Sequence, residues 1–110
     1  MIAGACHCGA VRIRIDAAAL EGAWDCRCSI CRRYGALWTY FKPQQVVVSG
    51  STDAYMWGRK MLAFHRCGTC GCVTHWQDVV HPGIKMGVNA RMLAPAALDG
   101  IAMHVTQGPG

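Results

Sequence analysis

Charged residues and long apolar runs are both scarce in this sequence. Asp, Glu, Lys and Arg make up only 15% of the residues, whereas 53% are hydrophobic, a balance typical of a folded globular chain rather than a disordered one. No apolar run approaches the ~20 residues that a membrane-spanning helix requires. The N-terminus also lacks a basic segment followed by an apolar one, which is the pattern of a secretory signal. We therefore expect a cytoplasmic protein with no membrane partner.

The length of the chain indicates one domain. A chain of 110 residues can bury one small core, and neither an interior linker nor a long repeat divides it. We predict a single domain over residues 1–110, with its core at about residues 4–105. Nothing in the sequence chooses between a monomer and a homodimer.

Clustered positive charge, which is typical of nucleic-acid binding, is also missing. The formal net charge is +5, but no run of Lys and Arg is longer than the pair Arg32-Arg33. Deprotonated, metal-bound cysteines would lower this charge further. We therefore do not expect a nucleic-acid partner.

Cysteine, by contrast, is abundant and tightly grouped. Eight cysteines form a C-x-C pair, a C-x-C-x-x-C group and a C-x-x-C-x-C group. A disulfide between residues two positions apart is strained, and cysteines this close together in a reducing compartment more often converge on a metal. We therefore favour zinc binding over a disulfide framework. In order, the cysteines are Cys6 and Cys8; Cys26, Cys28 and Cys31; and Cys67, Cys70 and Cys72.

Four of these cysteines suit a structural zinc site, which takes four protein ligands in a tetrahedron. Cys6 and Cys8 together with Cys67 and Cys70 would join the two halves of the chain. The C-x-x-C-G stretch at residues 67–71 has the form of a zinc knuckle, whose glycines let backbone N–H groups turn towards the sulfurs. We predict a structural zinc here that contributes directly to the free energy of folding.

The central group, Cys26, Cys28 and Cys31, can hold one face of a second zinc ion. Three protein ligands and an open fourth position are the arrangement of a catalytic zinc. Alternatively, Cys72 or a histidine supplies a fourth ligand and the site is inert. For Cys72 itself we favour a place in the core, although strand alternation could also put it on a face shared with Cys70.

The pattern between the cysteines is one of short strands. Residues 10–16 alternate apolar and basic side chains with the period of a half-buried strand, and Cys6 and Cys8 would share a face if that strand began at residue 6. Gly9 permits a turn close to the metal. The sequence predicts an all-β domain of about eight short strands and very little helix. Further strands are predicted at 37–41, 46–48, 52–57, 61–66, 73–76, 84–89 and 101–105, a loop at 17–21, single helical turns at 30–34 (capped by Ser29) and 95–98, and a frayed end at 108–110.

Four stretches of the sequence together resemble the glutathione-dependent formaldehyde-activating enzyme family, which includes centromere protein V. They read GACHCGAV at 4–11, CRCSICR at 26–32, FHRCGTCG at 64–71 and VNARML at 88–93. The resemblance implies a zinc-stapled fold of coiled β-sheets, shared with Rab-exchange suppressor proteins, and two zinc ions. It places a structural zinc on Cys6, Cys8, Cys67 and Cys70, and a second zinc on Cys26, Cys28 and Cys31.

The activity that the resemblance implies is carbon–sulfur lyase chemistry on a small thiol–aldehyde adduct. Glutathione would be the co-substrate, adding reversibly to formaldehyde to give S-hydroxymethylglutathione, with the central three cysteines holding a zinc that has an open position. Arg32, Asn89 and Arg91 are candidate contacts to the thiol substrate, because a cation offsets thiolate charge and these side chains can bind a carboxylate. Alternatively, Asn89 stabilises a turn.

A non-catalytic zinc-binding module for protein interaction is the alternative function, because some members of the family are non-enzymatic. This chain departs from the family's pattern in the added Cys72 and in a short C-terminal tail. His65 and His75, which flank the third cysteine group, are expected mainly to be packing residues, as are the four tryptophans, although one tryptophan can line a pocket.

Overall fold

The protein folds into short strands with little helix. The computed structural model describes residues 1–108. Within that range there are ten strands, one α-helix of four residues and three short 3-10 turns at Pro43–Gln45, Ala90–Met92 and Pro95–Leu98. The strands are β1 (Ile2–Ala5), β2 (Arg12–Ile15), β3 (Gly22–Cys26), β4 (Trp38–Phe41), β5 (Val46–Ser49), β6 (Thr52–Tyr55), β7 (Leu62–Cys67), β8 (Val73–Asp78), β9 (Met86–Asn89) and β10 (Ala102–Thr106), and the helix is α1 (Cys31–Tyr34).

The strands form two sheets. The small sheet has the order β1-β2-β5 and is antiparallel throughout. The large sheet has the order β10-β3-β4-β9-β8-β7-β6, in which β10 pairs parallel with β3 and every other pairing is antiparallel. The prediction of an all-β fold with very little helix is therefore confirmed.

The alternation read from residues 10–16 explains how the small sheet is buried. Val11, Ile13 and Ile15 are almost fully buried, while Arg12 and Arg14 point to solvent. The isoleucines pack against apolar side chains of the large sheet, among them Val88 of β9. A strand of period two thus buries one face against the second sheet, and this apolar contact is the main core.

The large sheet is apolar on its other face as well. Trp38 and Tyr40 lie two residues apart on β4 and so share a face, and Phe64 of β7 is the direct neighbour of Trp76 on β8. The Tyr40 and Trp76 rings approach to 6.0 Å between centroids across Gly87, which pairs with both residues. This aromatic face is turned away from the small sheet and forms one wall of a cavity.

Several sequence-based expectations were wrong in detail. Cys6 and Cys8 do not lie on a strand: they occupy the turn between β1 and β2, and the Gly9 amide donates to the Cys6 carbonyl at 3.0 Å. Gly9 has φ of 81°, so the turn predicted at this glycine is present. Helix α1 begins after Ile30 with no side-chain cap, so Ser29 does not cap it.

Two strands, β1 and β3, were not predicted. Both contain glycine and alanine, whose small side chains give no periodic apolar signal. β1 is defined by pairing with the neighbouring β2, and β3 by pairing with the distant β10. Of the predicted frayed end, residues 109–110 lie outside the described residues. None of the helices in residues 1–108 has both the length and the apolar character needed to cross a membrane.

Gly87 provides a test of the aromatic face. A methyl group at position 87 would overlap the indole of Trp76, because that ring lies directly on the Gly87 backbone. We expect Gly87→Ala to lower the free energy of unfolding by about 1–3 kcal/mol, as overpacking does. Thermal or urea unfolding measures this loss. In a Trp76→Leu background the same substitution should cost clearly less, and an equal cost in both backgrounds would contradict the contact.

Candidate metal centres and the adjoining cavity

Four cysteines from the two halves of the chain meet in one place, here called the four-cysteine cluster. The ligand atoms of Cys6, Cys8, Cys67 and Cys70 all lie within 4.8 Å of one another. The Sγ atoms of Cys8 and Cys67 are 3.6 Å apart, and those of Cys6 and Cys8 are 3.7 Å apart. A tetrahedral ion with metal–sulfur bonds of about 2.3 Å has sulfur–sulfur edges of about 3.8 Å. These thiols therefore fit a tetrahedral metal.

Two similar turns present these sulfurs. The turn after β1 is closed by the Gly9 amide on the Cys6 carbonyl, and the turn between β7 and β8 is closed by the Gly71 amide on the Cys67 carbonyl, both at 3.0 Å. Both glycines have positive φ, 81° and 79°. This conformation, which suits glycine, lets the chain reverse within five residues and brings two sulfurs to the same side.

Backbone amides around these turns point at the sulfurs. The Val11 amide donates to Cys6 Sγ at 3.3 Å. Amides of Cys70 and Thr69 donate to Cys67 Sγ and lower the pKa of that thiol. Amides of Cys72 and Cys8 lower the pKa of Cys70 to about 5. The thiolate is the metal-binding form of cysteine. These hydrogen bonds stabilise the thiolate form of Cys67 and Cys70 and so favour the binding of a cation.

A second group, here called the three-cysteine cluster, is formed by Cys26 at the end of β3, Cys28 in the following loop and Cys31 at the start of α1. The three ligand atoms lie within 4.8 Å of one another, and among residues 1–108 no fourth Cys, His, Asp or Glu joins the group. The amide of Cys31 donates to Cys28 Sγ at 3.4 Å. The indole N–H of Trp38 donates to Cys31 Sγ at 3.3 Å. This donor set fits a metal that has one further position.

Cys72 belongs to neither group. Its half-buried side chain packs beside Cys6, Val11 and Cys67, and its carbonyl accepts the Cys67 amide at 3.0 Å. It therefore lies next to the four-cysteine cluster and away from the three-cysteine cluster. The alternative in which Cys72 closes the second site has no support in this arrangement.

The three-cysteine cluster lies in the wall of a cavity of about 460 Å³. Buried side chains of the large sheet form one side of this cavity, and exposed residues of the β6–β7 hairpin form the other. Burial, together with nearby thiolate charge, raises the pKa of Tyr40 to about 12, so its hydroxyl stays protonated at neutral pH. The lining residues are Cys26, Cys28, Ile30, Cys31, Trp38, Tyr40, Trp57, Gly58, Arg59, Met61, Leu62, Phe64 and Trp76.

Residues 106–108, the last residues that the structure describes, also reach the three-cysteine cluster. The Arg27 amide donates to the Thr106 carbonyl at 2.7 Å. A methyl group at Gly108 would lie 2.8 Å from Cys26 Sγ and 2.8 Å from the Cβ of Cys28. The segment after β10 therefore covers one side of the three-cysteine cluster.

The three residues that the sequence suggested as contacts to a thiol substrate, Arg32, Asn89 and Arg91, do not line the cavity. Asn89 is buried, accepts the amides of Leu37 at 3.3 Å and Arg91 at 3.2 Å, and donates to the Val73 carbonyl at 2.8 Å. It thus has the turn-stabilising role that was the alternative reading. Arg91 donates to the Gly35 carbonyl at 2.8 Å, and Arg32 is exposed on α1. None of these three lines the cavity, and a substrate contact for them stays a prediction.

The two histidines near the third cysteine group pack against each other. His65 and His75 stack with ring centroids 4.4 Å apart, and their ring nitrogens are engaged by Thr52, Gln77 and Thr74 at 2.8–2.9 Å. Burial lowers the pKa of His75 to about 4, so it is neutral at neutral pH. Neither histidine joins a cysteine group, which agrees with a packing role.

Sequence reasoning named the cysteines and expected the tryptophans mainly to pack, with one able to line a pocket. In the structure Trp38, Trp57 and Trp76 all line the cavity, and Trp57 is exposed rather than packed in the core. The cavity residues Tyr40, Arg59 and Met61 were missed. One signal was available for Tyr40, because it lies two positions from Trp38 on a predicted strand and must share its face. No local pattern marks Arg59 and Met61, because the position of a hairpin over a sheet is set by tertiary structure.

Two thiol clusters on a two-sheet β fold define a small metal-binding domain, and sequence comparison gives its family. The model of the family described as "Glutathione-dependent formaldehyde-activating enzyme" matches residues 1–102. The chain belongs to this family.

A structural comparison agrees with the fold. A crystal structure of a Rhodobacter sphaeroides protein, described as a structural genomics target, is 30% identical in sequence and superposes with a TM-score of 0.74. The match covers 93% of this chain and 99% of that one. No curated protein sequence matches the chain.

The two clusters should differ in what they do for folding. We expect Cys67→Ser to abolish most folded protein, because it breaks the link between the two halves of the chain. Cys31→Ser should stay folded and lose only the metal of the three-cysteine cluster. Metal content per chain and the melting transition measure both effects.

Cys72→Ser is the matched control, since its half-buried thiol lies outside both groups. This variant should keep the metal content and the melting temperature close to those of the parent. Equal loss of folding in Cys67→Ser and Cys31→Ser would contradict the division of roles.

Proposed function

We propose that this protein catalyses the reversible addition of a thiol to a small aldehyde, with zinc at both cysteine clusters. Glutathione and formaldehyde, which give S-hydroxymethylglutathione, are the pair to which the family points. The observation that carries the proposal is the three-cysteine cluster in a cavity wall, with no fourth protein ligand within residues 1–108. A purely structural site would have its four positions filled by the protein.

The reaction needs few protein groups. The thiol sulfur forms a bond to the carbonyl carbon, the π electrons of the C=O bond move to oxygen, and that oxygen gains a proton in place of the one that the thiol loses. The reverse reaction breaks the same C–S bond and returns the free thiol and the aldehyde. No oxidant, reductant or further reactant is required.

The three cysteine sulfurs favour zinc as the metal and suggest what a bound zinc would contribute to the reaction. Thiolates are soft ligands that suit zinc, and Cys26, Cys28 and Cys31 are the residues that would hold it. When bound, the metal would supply positive charge that favours the thiolate form of a substrate thiol. Trp38 holds the Cys31 sulfur through its indole N–H, which fixes the direction of that side chain and draws off some of its negative charge.

Tyr40 is the group best suited to assist the carbonyl oxygen. It lines the same cavity as the three cysteines. Among the cavity-lining residues that the structure describes, Tyr40 is the only one with a hydroxyl group. Because its pKa is raised to about 12, the hydroxyl stays a hydrogen-bond donor. We assign it the role of donating to the aldehyde oxygen as that atom gains negative charge.

The free cysteine thiols of the protein suggest the cellular compartment in which the reaction would take place. All eight cysteines are free in this structure, and a thiolate-based site needs a reducing environment to stay so. We therefore propose that the protein works in the cytoplasm, where glutathione is also present as a reduced thiol.

The function can be tested by exchange spectroscopy. The spontaneous reaction of glutathione with formaldehyde is itself measurable, so the readout is the rate of exchange between labelled formaldehyde and its glutathione adduct with and without zinc-loaded protein. We expect the parent to raise this rate and Cys31→Ser to return it to the spontaneous value. An unchanged rate with the fully loaded parent would favour the alternative of a non-catalytic interaction module.

Replacing Tyr40 tests the proposed hydrogen-bond donor. We expect Tyr40→Phe to lower the catalysed rate about 100- to 1,000-fold, the range for removing one donor to a developing charge, without changing zinc content. Tyr34→Phe is the matched control, since Tyr34 packs on Phe64 but does not line the cavity. Equal rates in Tyr40→Phe and the parent would remove Tyr40 from the mechanism.

A further inference from the structure

The cavity is much larger than a one-carbon aldehyde requires. A water molecule takes up about 30 Å³ in the liquid, and formaldehyde has only one more heavy atom. The cavity of about 460 Å³ therefore exceeds the space needed at the reacting carbon many times over. Cavities of this size hold ligands with several rings or branches.

The walls of the cavity are strongly apolar. Among the cavity-lining residues that the structure describes, Arg59 is the only one outside the three-cysteine cluster that carries a charge. Burying the ammonium, carboxylate and amide groups of a peptide thiol against aromatic rings would cost free energy, because the rings return few hydrogen bonds. The polar part of such a thiol is therefore not suited to fill the interior.

Two cavity residues are apolar and yet exposed. Trp57 is 44% exposed and Met61 is 42% exposed, both on the hairpin between β6 and β7. They face Trp38 and Phe64, which are fixed on the large sheet and nearly fully buried. Large apolar side chains left uncovered around a concave site are typical of a surface that an apolar ligand covers.

The hairpin tip is shaped by its backbone. Gly58 has φ of 59° and Lys60 has φ of 55°, and the Lys60 amide donates to the Trp57 carbonyl at 3.0 Å. The tight turn brings Trp57 and Met61 to the same side of the hairpin, over the cavity. Arg59 lies between them and can pair with a carboxylate of the ligand.

Building on the function proposed above, we infer that the preferred substrate is a thiol–aldehyde adduct with an aromatic or branched aliphatic group on the reacting carbon. That group fills the cavity between the β6–β7 hairpin and the large sheet. The sulfur lies at the three-cysteine cluster, and the charged parts of the thiol remain outside with Arg59. The aldehyde component of the preferred adduct is therefore larger and more apolar than formaldehyde.

Equilibrium binding of two stable thioethers tests this inference without turnover. S-benzylglutathione and S-methylglutathione share the peptide and differ only in the group on the carbon bound to sulfur. We expect the zinc-loaded protein to bind the benzyl compound about 30-fold more tightly, the gain from burying one ring. Calorimetric titration measures both constants. Equal affinities within about twofold would overturn the inference.

Matched variants locate the binding site. Trp57→Ala and Met61→Ala should each reduce the preference for the benzyl compound several-fold, with no effect on zinc content. Tyr55→Ala and Met103→Ala are the controls: both residues are exposed, at 49% and 56%, and neither lines the cavity. A preference that survives loss of both Trp57 and Met61 would overturn the assignment of the hairpin as the wall.

The results separate this inference from the proposed function. Catalysed exchange of formaldehyde with equal binding of the two thioethers would keep the function and overturn the apolar preference. Tight, hairpin-dependent binding of the benzyl compound with no catalysis of any adduct would support the assigned ligand class and overturn the reaction.

Discussion

The structure depends on sulfur atoms that are 59 residues apart in sequence and 3.6 Å apart in space. One pair sits in the turn between β1 and β2 of the small sheet, and the other lies at the turn between β7 and β8 of the large sheet. Four thiolates this close repel one another unless a cation lies between them. An ion at this point would therefore fasten the two sheets together, in addition to the apolar contact between their faces. For a chain with so small a core, that link would contribute a substantial part of the free energy of folding.

The two faces of the large sheet have different surroundings: one packs in the core and the other lines the cavity. Val88 and its neighbours face the small sheet and exclude water from the core. Trp38 and Tyr40 face away and meet the three-cysteine cluster and the hairpin. A sheet with two apolar faces would normally be covered on both. Here the second face is covered only in part, and this uncovered region is the cavity.

The sequence predicted those parts that local chemistry determines. The close spacing of Cys26, Cys28 and Cys31 predicted the three-cysteine cluster, and the two close pairs, Cys6 with Cys8 and Cys67 with Cys70, predicted the halves of the four-cysteine cluster, because thiols this close together in sequence commonly bind a metal. The alternation around Ile13 gave β2 and its buried face. The strand β3 was missed because it is set by pairing with β10, far along the chain, and β1 was missed because its small side chains give no periodic signal. The turn placement of Cys6 was also missed. The strands on either side of Trp57 were predicted, but the position of their hairpin over the aromatic face of the large sheet was not. Asn89 was singled out for its position, but its hydrogen-bonding partners could be seen only in three dimensions.

The parallel pairing of β10 with β3 has a practical consequence for handling the protein. β10 runs in the same direction as the strand that ends at Cys26, so the two strands finish side by side. Residue 108 consequently arrives against Cys26 and Cys28. A polyhistidine tag fused after residue 110 would be joined only two residues beyond this contact, within reach of the thiols, and would compete with them for metal during purification. A tag before Met1 starts from the small sheet instead, and metal analyses are best performed on that form.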